Sequence, residues 1–207
     1  MPLRPLAVTA TLLTATLLAA TPVAAAAAAE TYRFDQGHTE VLFSWEHAGI
    51  TTQSAEFLDL DGTIEIDRAD LAASVVDVTI DPASVHTGVA DFDAHLRSND
   101  FFAVEAHPEI RFVATDVRRV GAERAFIDGE LTIKAITRPV TLDTVLTFDG
   151  PHPLGEFMES YEADYLGFHA TTTVLRSAWD LGAFAPLTSD AVEITIRTEL
   201  RRVDNES

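Results

Sequence analysis

The sequence predicts an all-β protein, an eight-stranded antiparallel barrel with one short helix closing one end. From residue 30 onward, apolar and polar residues alternate with a period of two in about eight runs at fairly regular spacing, the pattern of half-buried β-strands. The runs lack the spacing of β–α–β units, so antiparallel pairing is expected. Several runs reach about ten to twelve residues, which is long for a sandwich, and eight such strands with one apolar face can close into a barrel.

One stretch near the middle of the chain, residues 91–102, breaks this alternation. Phe92, His95 and Leu96 fall at positions i, i+3 and i+4, with carboxylates near the start of the stretch and an arginine further along. That spacing predicts a short amphipathic helix whose charges suit its dipole. A single helix with an aromatic face in an all-β chain is expected to lie across a sheet or to plug the end of a barrel.

Residues 1–29 are predicted to be a secretory signal peptide, and residues 30–207 are predicted to form a single barrel domain. Arg4 provides a small positive region, an apolar run follows it, and an alanine-rich tract offers small-residue cleavage sites. Cleavage is expected between Ala25 and Glu30. The mature protein is therefore expected outside the cytoplasm, either in the periplasm or secreted.

The charge of the chain argues against two classes of partner. The net charge is −19 at pH 7, and removing residues 1–29 removes one arginine, which leaves 33 acidic and 13 basic residues. Such a field repels nucleic acid and anionic lipid surfaces, so we expect no nucleic acid binding and no stable membrane insertion.

The sequence contains no cysteine, so the stability of the domain must come from its core and its backbone hydrogen bonds rather than from disulfides.

No catalytic or metal-binding motif can be recognised in the sequence. There is no cysteine nucleophile, no G-x-S-x-G elbow, no P-loop and no dinucleotide fingerprint, and the seven histidines do not fall into a known metal-ligand spacing. We therefore predict a protein that is not an enzyme, with no catalytic residue, no metal site and no cofactor other than a bound lipid.

The polar residues that could suggest a site are given structural roles instead. His38 is expected to support a turn by hydrogen bonding to Asp35. Asp91 and Asp93 are interpreted as helix-capping and dipole residues rather than an acid–base pair.

Two sets of apolar residues are candidates for lining a ligand site. The aromatic residues in both sets would usually form a packed core. The sequence leaves a packed core and an apolar cavity equally open. For His95, a core or rim position and a contact with a ligand head group are both open. Alternation directs one set into the barrel interior: Phe43, Trp45, Leu60, Ile64, Val78, Phe112, Leu131, Leu142, Phe148 and Phe168. The helix and its flank supply the second set, at the mouth: Phe92, His95, Leu96, Phe101 and Phe102.

Five segments together resemble the YceI family of bacterial extracytoplasmic proteins, a lipocalin-like polyisoprenoid-binding domain. They cover residues 35–50, 84–88, 95–102, 108–112 and 129–142, and they occur in the family's order across essentially all of the predicted domain. The resemblance implies a long, lipocalin-like, eight-stranded antiparallel barrel with a helix near one end. It also implies a lumen that takes a long isoprenoid chain, such as that of a quinone or a polyprenyl phosphate, without chemistry on that chain.

The resemblance and the residues together lead to two functional hypotheses. The first is an extracytoplasmic protein that carries or sequesters an isoprenoid or other amphiphilic lipid in its apolar lumen. Residues 53–57 and the pair Phe92-Asp93 lack basic residues that the family commonly has near the mouth, which favours a neutral head group such as a quinone. The alternative is a secreted structural or interaction domain with a self-packed barrel and no ligand. The sequence leaves a homodimer open under either hypothesis.

Overall fold

The computed structural model describes residues 29–203, so the predicted signal peptide lies almost entirely outside the described residues. Within that part of the chain, no helix has the length and hydropathy needed to cross a membrane. The strands are β1 (Glu30–His47), β2 (Thr51–Phe57), β3 (Leu60–Ile66), β4 (Val75–Ile80), β5 (Val85–His86), β6 (Ile110–Arg119), β7 (Arg124–Ile133), β8 (Ile136–Pro151), β9 (Asp164–Leu175) and β10 (Ala191–Val203). One α-helix, α1 (Ala90–Arg97), lies between β5 and β6.

Eight of these strands close into an antiparallel barrel, as the alternation predicts. Following the hydrogen-bonded neighbours gives the order β1, β3, β4, β6, β7, β8, β9 and β10, and β10 then pairs with β1 to complete the ring. The first residues of β1 pair with β3, whereas its last residues pair with β2, which carries the two-residue β5 on its other side. The predicted eight-stranded barrel with one short helix is therefore confirmed.

A large bulge interrupts β1 where the sequence predicts a turn. Phe34 pairs with Leu200 and Thr39 pairs with Thr198, so the four residues 35–38 lie opposite the single residue Glu199. An extra segment in one strand bends that strand and leaves its own residues unpaired. β1 nevertheless continues through the bulge as one strand of 18 residues.

The helix is shorter than the predicted stretch. It ends where Ser98 donates from both its backbone nitrogen and its hydroxyl to the carbonyl of His95, at 3.1 and 2.7 Å. Phe101 and Phe102 lie in the turn that follows, which returns to the helix through a hydrogen bond from the Phe102 nitrogen to the Leu96 carbonyl at 3.0 Å. The turn therefore keeps both phenylalanines on the barrel side of the helix.

Asp93 has a role that the helix pattern does not predict. Its buried carboxylate accepts hydrogen bonds from the backbone nitrogen and the hydroxyl of Thr87, at 2.7 and 2.6 Å, and lies 3.4 Å from His86 Nδ1. These contacts hold the pKa of Asp93 below its ordinary value, chiefly through the Thr87 hydroxyl. Asp93 is thus a tether between the helix and the segment that leads to it, while the N-cap, Val89, makes no side-chain capping bond.

The prediction that Phe148 faces the interior is wrong. The pairing of β8 with β9 shifts between Leu146, which is opposite Phe168, and Phe148, which is opposite Gly167. The shift adds one residue to β8, and a shift of one residue reverses the face on which every later side chain lies. The side chain of Phe148 is accordingly on the outer surface, 37% exposed.

Candidate ligand-binding cavity

The barrel encloses a cavity of about 500 Å³. That volume lies within the range of pockets that bind small organic ligands. Its wall consists of inward-facing side chains from the eight barrel strands together with residues of α1 and of the loop between β9 and β10. Because every second residue of a strand points inward, the apolar face of each strand becomes part of this wall. The interior is thus not filled by the protein's own side chains.

Fourteen of the fifteen residues predicted to surround a ligand line this cavity, and Phe148 is the exception. The strands contribute Phe43, Trp45, Leu60, Ile64, Val78, Phe112, Leu131, Leu142 and Phe168, and the helix segment contributes Phe92, His95, Leu96, Phe101 and Phe102. That these residues contact a ligand stays a prediction.

Aromatic rings join the helix segment to the wall of the cavity. Phe102 packs edge-on against Phe57 and Phe43, with ring centroids 5.5 and 6.2 Å apart, and Phe43 stacks on Phe57 at 5.1 Å. Phe92 meets Trp45 edge-on at 5.8 Å. Edge-to-face and offset contacts at these distances are favourable in addition to the area that they bury. The helix is therefore held against β1 and β2 by its aromatic side chains.

The cavity reaches the surface at the helix end of the barrel. Of its lining residues, His47, Phe184 and Leu187 are exposed, and all three lie at the end of β1 or in the loop between β9 and β10. That loop joins β1 through a bridge between His47 and Thr188 and a hydrogen bond from the Ala48 nitrogen to the Leu187 carbonyl at 2.8 Å. Sequence reasoning missed Phe184 and Leu187 because they lie outside any alternating run.

His95 lies on the rim of this opening. Its ring is 5.0 Å from that of Phe101 and 6.0 Å from that of Phe184, and its Nε2 lies 3.4 Å from Asp100 Oδ2. Its side chain is 39% exposed, which excludes a fully buried core position. A ring in this place can present one polar nitrogen to a group that sits in the opening.

Arg176 holds the rim loop in place. Its buried guanidinium donates to the carbonyl oxygens of Ser189, Ala183 and Thr188 at 2.8 to 3.0 Å, and also to that of Leu181. Because its N–H groups are directed at carbonyl oxygens, this arginine anchors the backbone instead of offering a free cation to a ligand. Nothing in the sequence pattern marks this role, since the partners are backbone atoms.

The opposite end of the barrel is sealed. Tyr32, 1% exposed, packs with Ile64, Leu166 and Leu200 in a separate buried cluster. Arg68 spans this end, donating to Tyr32 Oη at 3.1 Å and forming ion pairs with Glu30 and Asp149, each at 2.7 Å. Burial and the hydrogen bond to Glu30 raise the pKa of Tyr32 to about 12. The cavity is thus a tube that is open at the helix end and closed at the Tyr32 end.

Polar groups are few inside the cavity. Thr144 is buried in its wall, and the Thr144 hydroxyl has no hydrogen-bond partner among the described residues. No aspartate or glutamate is among the described residues that line the cavity. A buried hydroxyl without a partner is costly, so Thr144 is a candidate contact for a polar atom of a ligand.

A family model described as a YceI-like domain matches residues 32–200. The chain belongs to this family. Among curated YceI-like relatives, a UPF0312 protein of Photorhabdus laumondii is 36% identical over 155 residues, which is 74% of this chain and 80% of that protein. Protein YceI of Escherichia coli O157:H7 is 38% identical over 141 residues, or 67% of this chain and 73% of that protein.

Solved structures share the YceI-like barrel. BcnA of Burkholderia cenocepacia has a TM-score of 0.70 and 20% identity, with 80% of this chain and 98% of that chain covered. A polyisoprenoid binding domain from Saccharophagus degradans, described as implicated in plant cell wall breakdown, has a TM-score of 0.58 and 13% identity, with 83% and 98% covered. At these identities the likeness establishes the fold of this YceI-like chain.

Proposed function

We propose that this protein carries or sequesters an isoprenoid-type lipid in its barrel, outside the cytoplasm. The observation that carries the proposal is the apolar cavity of about 500 Å³, open at the helix end and closed at the other. The Saccharophagus degradans structure, which is described as a polyisoprenoid binding domain, supports the ligand class. The predicted signal peptide supports a site of action outside the cytoplasm.

Burial of apolar surface can supply the binding energy. At about 25 cal/mol per Å², burying about 600 Å² of isoprenoid chain gives about 15 kcal/mol. Micromolar affinity corresponds to about 8 kcal/mol. The difference of about 7 kcal/mol lies within the range estimated for the lost freedom of two associating molecules. A chain of several isoprene units therefore binds without any ionic contact.

The charges at the opening favour a neutral head group such as a quinone. Arg176 is the one permanently charged side chain among the described lining residues, and its guanidinium is directed at backbone carbonyls. His95 at the rim faces Asp100, which would repel an anion. A pyrophosphate would lack a free cation here, whereas a quinone carbonyl can accept a hydrogen bond from the His95 ring.

The experiment that tests the proposal is native mass spectrometry of the mature protein, followed by organic extraction. We expect one lipid per chain, or one bound equivalent after incubation with a quinone that carries an isoprenoid tail. A polyprenyl pyrophosphate of equal tail length is the comparison, and we expect it to bind more weakly. Failure of both probes to bind would support the alternative of a structural or interaction domain.

A pair of variants controls this experiment. Ala170 is 6% exposed and lines the cavity, so Ala170→Phe places a ring in the lumen. Leu175, on the same strand, is 57% exposed, and Leu175→Phe adds a ring outside the cavity. We expect Ala170→Phe to lose lipid and Leu175→Phe to keep it. Equal binding by both variants would place the lipid outside the barrel and contradict the proposal.

A further inference from the structure

The bulge of β1 brings metal-ligating side chains together on the outer face of the barrel. Residues 35–38 lie opposite Glu199 of β10. Thr198 and Leu200 line the cavity, so Glu199, which lies between them in the strand, points to the outside. The bulge therefore lies over the carboxylate of Glu199, on the side of the barrel wall away from the lipid cavity.

Three donor groups converge at this place. One ligand atom from each of Asp35, His38 and Glu199 lies within 4.8 Å of the other two. His38 Nδ1 is 3.1 Å from Asp35 Oδ2, and the Gly37 nitrogen donates to Asp35 Oδ1 at 3.0 Å, which fixes the aspartate. A tetrahedral ion bound at about 2.1 Å separates its ligand atoms by about 3.4 Å, so small side-chain rotations complete such a site.

A second observation at the same place concerns the carboxylate of Glu199. Glu199 Oε2 is buried and has no hydrogen-bond partner among the described residues, although the side chain as a whole is partly exposed. His152 Nε2 is the near group, at 3.5 Å. Its other nitrogen, Nδ1, accepts a hydrogen bond from the Leu154 backbone at 3.1 Å, so the neutral ring carries its proton on Nε2 and approaches Glu199 as a donor rather than as a metal ligand. At 3.5 Å this contact is longer than an ordinary hydrogen bond, which leaves room for a cation at the carboxylate oxygen.

We propose that Asp35, His38 and Glu199 form a binding site for a divalent transition-metal ion. One imidazole and two carboxylates are a donor set that suits Zn²⁺, whereas Ca²⁺ and Mg²⁺ prefer oxygen ligands alone. His38 is 46% exposed, so the remaining coordination position faces water. The ion joins the bulge of β1 to β10 and so reinforces the seam at which the barrel closes. The sequence spacing did not show this site because its third donor lies on the last strand.

The test is isothermal titration of Zn²⁺ into the mature protein after removal of metal with a chelator. We expect one equivalent to bind, and His38→Gln and Glu199→Gln each to weaken binding by on the order of 10- to 100-fold or more. His86→Gln is the matched control, because His86 also lies near an aspartate, Asp93, at 3.4 Å, but belongs to no described three-donor group. We expect that control to bind Zn²⁺ like the unmodified protein.

A second measurement makes the test independent of the folding of the variants. The imidazole resonances of the unmodified protein are followed by NMR during the titration, and we expect the His38 resonances to respond first among the seven histidines. Absence of Zn²⁺ binding at about 100 µM, or unchanged binding in both His38→Gln and Glu199→Gln, would overturn the proposal. A response centred on a different histidine would overturn it as well. Ca²⁺ in place of Zn²⁺ is expected to give no saturable response.

Discussion

Trp179 donates its indole N–H to the carbonyl oxygen of Leu131 at 3.1 Å, which joins the loop after β9 to β7 beside the opening of the cavity. Trp179 is 3% exposed, so this hydrogen bond is sheltered from water. The loop that carries Phe184 and Leu187 is therefore fixed both by this tryptophan and by the guanidinium of Arg176. These side-chain hydrogen bonds attach the rim of the opening firmly to the barrel.

Trp179→Phe removes the indole N–H that donates to the carbonyl of Leu131. A hydrogen bond of this kind contributes about 0.5–1.5 kcal/mol, and we expect the free energy of unfolding to fall by about that amount. Urea denaturation measures it. Trp45→Phe is the control, since Trp45 is only half-buried and its indole makes no hydrogen bond among the described residues. A loss in Trp45→Phe as large as that in Trp179→Phe would show that ring size, not the hydrogen bond, is responsible.

Leu96→Ala should destabilise the protein by about 2–5 kcal/mol. Leu96 is 5% exposed between the helix and the cavity wall, so its removal leaves a void. Thermal and urea unfolding of the variant measure the change. Ala94→Gly, at an exposed position of the same helix, controls for helix propensity alone and should cost about 1 kcal/mol or less. A small effect of Leu96→Ala would show that the helix is not packed against the barrel as described.

His95→Ala should leave the fold largely intact and weaken the binding of a quinone with an isoprenoid tail. The side chain is on the rim, so little buried area is lost, but a hydrogen bond to the head group would disappear, worth about 0.5–1.5 kcal/mol, or about 1–3 kcal/mol if the bound lipid buries it. Fluorescence titration gives the affinity and thermal unfolding gives the stability. Clear destabilisation with unchanged affinity would make His95 a structural residue.

Asp93 should make the free energy of unfolding decrease as the pH falls into the acid range. Its folded pKa is lowered by Thr87, so the stabilisation is fully present above the ordinary aspartate pKa, near 4, and is lost as the pH falls through the lowered value. We expect the difference in stability between the unmodified protein and Asp93→Asn to shrink below about pH 4. Urea unfolding at pH 7, 5, 4 and 3 measures that difference. A difference that does not change with pH would contradict the role of the ionised Asp93 carboxylate as an acceptor for Thr87.

Phe148 and Phe168 provide a direct test of the bulge in β8. Phe168 lines the cavity and pairs with Leu146, whereas Phe148 lies outside. We expect Phe168→Ala to reduce both stability and lipid affinity, and Phe148→Ala to leave lipid affinity unchanged. Reduced affinity in Phe148→Ala would show that Phe148 faces the cavity, in the register that simple alternation predicts.

The period of two was sufficient to predict most of the cavity wall because each barrel strand has one face toward the lumen. It failed at Phe148 because the residues on either side of the bulge still alternate between apolar and polar. A signal was present on the neighbouring strand: a Cβ at Gly167 would lie 2.8 Å from Thr147 Oγ1 and 3.1 Å from Phe148 Cβ. A glycine within a strand often marks such a close approach.

Tertiary contacts account for the other residues that the sequence could not assign. Asp93 looks like a residue that complements the helix dipole, but its partner is Thr87, six residues earlier in a loop. Arg176 binds backbone carbonyls, which leave no trace in side-chain patterns. Glu199 becomes a neighbour of His38 only when the last strand closes the barrel on the first. Local periodicity cannot encode contacts of these kinds.

The seal formed by Tyr32 and Arg68 gives the tube a direction and a length. The lipid proposed above is therefore expected to enter tail first and to leave its head group at the helix end. Tails shorter than the tube leave part of the cavity empty, and longer tails leave apolar carbons exposed to water. The affinity for an isoprenoid should therefore be highest at one number of isoprene units. Transfer of such a ligand to any acceptor then has to take place at the helix end, so the orientation of the protein, and not only its affinity, determines transfer.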